Sequence, residues 1–171
     1  LTELLATTEV PRSVAQLVDT VHRQSEQFEH LVDDLLEYSH IESDRIEPRA
    51  VPCWPRQLVA DAVAVGRELA AAGVEVSGHT DEAVADVVLL DERRVRQVLA
   101  NLVSNAAKFT RDGRIEVHVE HVEVDGDAGL RWRVRDTGRG IVESDLDRIF
   151  QPFEQGQAGV AAGGAGLGLA I

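Results

Sequence analysis

Between Arg93 and Ile171 four short signals follow one another in a single order, and together they restrict the fold more than any other feature. RRVRQVLANLVSNAAKFT keeps helical spacing, DTGRGI sets an acid before two glycines, IFQPF carries two aromatics three residues apart, and GGAGLGLAI is a glycine run opening onto apolar residues. A carboxylate at a strand end can accept a hydrogen bond from the exocyclic amine of a base. Gly138 and Gly140 would let the backbone approach the ring closely. Alone, Asp-x-Gly is also an ordinary turn. Gly164, Gly166 and Gly168 offer backbone amides at a helix N-terminus, where the macrodipole favours phosphate; alone, they also read as a flexible loop. The run is not the dinucleotide pattern, because Leu169 stands where Gly or Ala is needed. It is not the P-loop either, since no Lys follows.

The helix that precedes these glycines carries its own chemistry. Val95, Val98, Leu99, Leu102, Val103 and Ala106 repeat at helical spacing and predict a core-facing stripe behind an Asp91 cap. Asn101, Asn105 and Lys108 stand four and three apart, so they share the opposite face. An amide oxygen can ligate Mg²⁺, which bridges phosphates while keeping several waters, and Lys108 can meet phosphate as a point charge. Lys108 is the only lysine among 17 basic residues, a further pointer to a required ammonium. A merely solvated polar face would look the same on this helix alone.

Upstream, Ser13 reads as the N-cap of a long helix reaching about Asp44. Val14, Val21, Phe28 and Leu35 are seven apart, and Leu17/Val18 and Leu31/Val32 fill the other seam position. A helical hairpin with that stripe cannot bury it alone, and dimerisation into a four-helix bundle is the natural solution. Pro48, Pro52 and Pro55 mark a boundary, giving expected domains over 1–47 and 48–171. A helix is predicted from Pro55 to Ala72, and strands over Val74–Ser77 and Asp86–Leu90. Ile115 to Val119, extending toward Val124, and Leu130 to Val134 form a further strand pair around a turn at Asp125–Gly129. A short helix is expected over Ser144–Phe150, and a loop without periodicity over Glu154–Gly164.

Composition serves mainly to exclude. Thirty acids against 17 bases give a net charge of −13, a poor surface for nucleic acid, whose phosphates need clustered Lys and Arg. The single Cys53 excludes an internal disulfide and a cysteine-based metal site. No apolar run approaches a bilayer span of about 20 residues, and no signal peptide opens the chain. The expectation is a soluble, cytoplasmic portion of a protein, with any membrane anchor in parts of the parent outside this sequence.

The ordered signals resemble the catalytic, ATP-binding domain of the sensor histidine kinases of two-component systems. In that family's terms NLVSNAAKF is similar to the N box, DTGRGI to the G1 box, IFQPF to the F box and GGAGLGLAI to the G2 box, over roughly residues 50–171. Residues 1–46, ending near EYSHIESDRI, resemble the latter part of the dimerisation and phosphotransfer helices. The resemblance implies an α+β architecture: a two-layer α/β sandwich of the Bergerat type with a mixed sheet, preceded by the dimerising hairpin. It implies ATP and Mg²⁺ as ligands, a homodimer through residues 1–46, and a response-regulator receiver domain as partner. By position, Asp136 would read the adenine amine, with Gly138, Gly140 and Ile141 beside it. Asn105 would hold Mg²⁺ with Asn101 nearby, Lys108 would contact phosphate, and Phe109 would lie against adenine. Asn105 and Lys108 are thus the residues expected to act in phosphoryl transfer. Phe150 and Phe153 would anchor the start of a lid over 154–163, and Gly164, Gly166, Leu167 and Gly168 would shape its end.

Relatives that hydrolyse ATP on this fold use a Glu on the N-box helix to activate water. The matching position is Asn101, and an amide cannot act as a general base, so transfer to a side chain is favoured over hydrolysis. An ATPase, a protein serine kinase or a non-catalytic dimeric module on the same fold are the alternatives. None of the six histidines has the expected acceptor context of a following acid and Pro. His22, His30 and His40 read as helix-surface residues, and the acceptor is expected upstream of Leu1. His118 and His121, three apart on a strand, point to opposite faces and should not share a metal. The closing C-terminal strands of the fold are expected beyond Ile171.

Overall fold

The computed structural model describes residues 48–152, 169 and 170, together with helical positions 14, 17, 18, 20–22, 24, 25, 28 and 32. The chain divides into two compact units, Leu1–Asp44 and Arg45–Ile171. In the first, Val14, Leu17, Val21 and Phe28, all expected on the apolar seam, are exposed to solvent within the single chain.

The second unit begins with β1 (Val51–Cys53), which the proline-rich boundary did not suggest. It pairs antiparallel with β3 (Val88–Leu90), Pro52 opposite Leu89. A two-stranded ribbon tolerates this proline because each strand has an open edge. Helix α1 (Pro55–Leu69) starts with Pro at its first turn, where the missing N–H is no loss. It ends before the predicted Ala72, because Ala70 turns to an extended conformation while its N–H still bonds Gly66 O at 2.9 Å. Strand β2 (Glu75–Thr80) follows and is longer than the predicted Val74–Ser77.

Helix α2 (Glu92–Phe109) is capped as expected by Asp91, whose Oδ1 accepts the Arg94 N–H at 3.2 Å. Its other oxygen accepts the Arg49 N–H at 2.9 Å. These backbone donors, Arg49 first, hold the Asp91 carboxyl below the usual carboxylate range. The buried face of α2 is Leu99, Val103, Ala106 and Ala107; Val98, expected in the core, is exposed. The apolar stripe read from spacing is broader than the strip one helix face can press onto a sheet.

Strands β4 (Arg114–Val124) and β5 (Asp127–Asp136) form a hairpin whose loop is only Asp125–Gly126, tighter than the predicted Asp125–Gly129. Both loop residues have positive φ, 55° and 89°, the geometry of a two-residue turn matched to strand twist. Sheet order is β2-β4-β5, with β2 parallel and β5 antiparallel to β4, so the sheet is mixed. The chain crosses from β2 to its parallel neighbour through β3 and α2. Leu58, Val59, Ala62 and Val63 of α1 pack with the α2 face onto Val76, Ile115, Val117 and Val119. Each buried aliphatic side chain contributes roughly 1.5–3 kcal/mol relative to exposure. The result is two layers, helices on one sheet face and the alternate residues of β4 and β5 on the other. The helix expected over Ser144–Phe150 is instead a 3₁₀ turn, Glu143–Asp145, followed by successive turns. Asp145 and Asp147 are weak helix formers, and no apolar stripe offsets them.

Candidate nucleotide site

The α2 C-terminus and the turn after β5 meet at one point. Gly138 lies so close to α2 that a Cβ there would sit 2.6 Å from the Phe109 carbonyl oxygen. Only glycine permits that approach, and through it Asp136–Gly140 is seated beside the helix turn carrying Asn105, Lys108 and Phe109. Asp136, the last residue of β5, is exposed, and its Oδ1 accepts the Gly138 N–H at 2.8 Å. That bond fixes the carboxylate at the mouth of the turn. Gly140 has φ +69° with open space around it.

Two cations lie near the Phe109 ring. The Arg139 guanidinium is 4.9 Å from its ring centroid and the Lys108 ammonium 5.5 Å, within reach of cation–π attraction. Burial pushes the Lys108 ammonium below its ordinary value, because a partly dry setting penalises charge. Asn101 and Asn105 are half-buried on the same helix. An oxygen from each amide, with waters and phosphate, makes a donor set suited to a hard divalent ion.

Residues outside the expected set complete the geometry. Thr137 Oγ1 accepts the Arg114 N–H at 2.9 Å, and the Thr137 N–H donates to Arg114 O at 3.1 Å. It thereby ties the DTGRG turn to the start of β4. Thr110, which ends α2, is buried, and its hydroxyl finds no hydrogen-bond partner among the described residues. An orphaned buried hydroxyl next to Phe109 suits a site that takes a polar ligand. No local pattern in the sequence marks Thr137, Arg139 or Thr110, since each acts across the chain.

The structure therefore brings the turn of Asp136, Gly138 and Gly140 to the helix end bearing Asn105, Lys108 and Phe109, one turn beyond Asn101. Ile141 and Phe150 are exposed. Phe153, Gly164, Gly166, Leu167 and Gly168, and the segment 154–163, lie outside the described residues.

Residues 90–171 match the family described as histidine kinase-, DNA gyrase B-, and HSP90-like ATPase. The sensor histidine kinase RcsC of Escherichia coli (strain K12) is 40% identical over 179 residues, covering 99% of this chain and 18% of that protein. The signal transduction histidine-protein kinase BarA of Escherichia coli (strain K12) is 31% identical over 174 residues, covering 99% of this chain and 19% of that protein. Among solved structures, full-length ShkA in complex with AMPPNP matches with a TM-score of 0.73 at 30% identity, over 98% of this chain and 34% of that one. The chain thus spans about a fifth of the length of these curated relatives.

Proposed function

We propose that this chain, whose residues 90–171 match the family described as histidine kinase-, DNA gyrase B-, and HSP90-like ATPase, is the ATP-binding catalytic portion of a sensor histidine kinase. The parent protein transfers the γ-phosphoryl group of ATP to a histidine, releasing ADP, and the group then passes to an aspartate of a response regulator. The observation that supports the reading is the seating of Gly138 on Phe109, which brings the Asp136 turn beside the helix end bearing Asn105 and Lys108.

In this site Asp136 accepts the adenine amine and Phe109 packs against the ring. Lys108 meets the phosphates, its charge made more effective by partial desolvation. Asn105, with Asn101 one turn away, holds Mg²⁺, whose contribution when bound is to neutralise phosphate charge. Phosphoryl transfer asks mainly for positioning and electrostatics, and these are the tasks the residues perform. Asn101 cannot deprotonate water, which supports transfer to a side chain over hydrolysis.

The lid that this reading assigns to 154–163, with Phe153, Gly164, Gly166, Leu167 and Gly168 at its ends, lies outside the described residues. Residues 1–46 form the dimerisation hairpin, domain 48–171 the catalytic unit, and a second copy covers the exposed seam of Leu17 and Phe28. Among the described residues no helix is long and apolar enough to cross a membrane. The need for ATP places this portion in the cytoplasm.

The test is Mg²⁺-dependent binding of a fluorescent ATP analogue, comparing the chain with Asp136→Asn. Loss of affinity by about tenfold or more, as expected when a hydrogen bond to a charged acceptor is lost, supports the adenine assignment; equal affinity overturns it. Phosphate release is measured in parallel, and sustained turnover would favour the ATPase reading.

A further inference from the structure

On the sheet face turned away from the helices, three metal-ligating side chains converge that the nucleotide site does not use. His79 and His118 are register partners on the parallel strands β2 and β4. Val76, Val117 and Val119 fill the helix side, so by strand alternation His79 and His118 stand on the opposite face. Asp81 lies two residues beyond His79, just past the end of β2, and its N–H continues the ladder by donating to Val119 O at 3.1 Å. Asp81 Oδ1 is 2.7 Å from His118 Nε2 and 3.1 Å from His79 Nε2. The ring centroids are 5.1 Å apart, and one ligand atom from each residue falls within 4.8 Å of the others.

We propose that His79, Asp81 and His118 bind one divalent transition-metal ion of the zinc class, stapling β2 to β4. Two imidazole nitrogens and a carboxylate oxygen are the donors such ions take, and three protein ligands leave a fourth position for water. Metal–ligand distances of about 2.0–2.2 Å place donors roughly 3.3–3.6 Å apart in a tetrahedron. The spread of 4.8 Å closes to that by rotation of His79, whose side chain is 70% exposed.

Charge around the cluster favours a cation. An aspartate carboxyl is ionised at neutral pH, the form in which Asp81 would bind a cation. Arg133, the register partner of His118 on β5, has its guanidinium held by Glu120 at 2.8 Å, and Glu120 also binds Arg131 at 3.3 Å. The net charge of −13 adds a general attraction. The site depends on neither ATP nor the nucleotide residues.

Equilibrium dialysis of the untagged chain against zinc chloride, with Co²⁺ titration read by visible absorption, tests the assignment. The expected result is one ion per chain and a tetrahedral Co²⁺ spectrum. Affinity should fall about tenfold or more in His79→Ala and in His118→Ala and stay unchanged in His121→Ala. His79→Ala removes an exposed side chain, so its loss of binding cannot be put down to unfolding, and melting curves with and without chelator check this. Substoichiometric binding by the wild type, or an ion retained at full affinity in His79→Ala, overturns the proposal.

Discussion

Gly138 and Phe109 are in backbone contact: a Cβ on the glycine would lie 2.6 Å from the Phe109 carbonyl oxygen and 3.0 Å from its carbonyl carbon. The helix end and the strand end that bear the site are held in register by this contact. Because the obstacle is backbone, no rotamer change can relieve it.

Gly138→Ala should therefore separate the Asp136 turn from α2. Overpacking of this kind costs about 1–3 kcal/mol, so the melting temperature should fall. Affinity for a fluorescent ATP analogue should fall further than the loss of stability explains. Unchanged binding in a destabilised variant would mean that the turn and the helix end serve separate purposes.

Thr137→Val removes the acceptor for the Arg114 N–H while keeping the side-chain shape. The expected loss is about 0.5–1.5 kcal/mol, read as a lower urea midpoint at constant m value. Thr137→Ser, which keeps the hydroxyl, should restore most of it. If Ser were as unstable as Val, the methyl contact rather than the hydrogen bond would be the source.

Arg96 of α2 bonds Asp61 of α1 and Glu92 one turn back. Arg96, the first cause, holds the Asp61 carboxyl below its ordinary value. A depressed carboxyl contributes stability that is complete above its unfolded pKa and is lost as pH falls through the folded one. The groups are more than a third exposed, so screening limits the pair to about 0.2–1 kcal/mol. Arg96→Ala should cost that much near neutral pH, and the gap to wild type should narrow below about pH 4. A gap independent of pH and salt would assign the effect to helix packing.

Leu17→Glu with Phe28→Glu should turn a dimer into a monomer in sedimentation, with the far-ultraviolet helix signal reduced. Both side chains are exposed in the single chain, and a charge there matters only if a second copy covers it. A wild-type chain that sediments as a monomer at micromolar concentration would remove the seam from the argument.

The parts of this molecule written in local patterns were readable in advance. The Asp91 cap and helical spacing predicted α2 to within a residue of its ends, and alternation predicted β4 and β5. What depends on partners distant in the chain was not readable. Strand β1 exists because β3 pairs with it from 35 to 39 positions away in the sequence (Val51 with Leu90, Cys53 with Val88). Val98 is exposed because α2 meets the sheet along a narrow strip. For the site, the glycines and the Asn/Lys face could be named from spacing, whereas Thr137, Arg139 and Thr110 gain their roles only from tertiary contact. His118 compared with its near neighbour His121 suggested no shared ion; the parallel register supplied His79 instead.

The two-residue loop at Asp125–Gly126 also bears on how the sheet assembles. Ten register pairs, from Val124–Asp127 to Ile115–Asp136, follow from that one turn, so β4 and β5 can zip together on the microsecond timescale of hairpin formation. Strand β2 has no such shortcut: Glu75 must find Arg114 across a loop that includes all of α2, and closing it costs chain entropy before any contact rewards it. Docking of β2 is therefore the expected slow event on the folding route. Mutations at the hairpin turn should slow folding, while those in β2 should chiefly hasten unfolding.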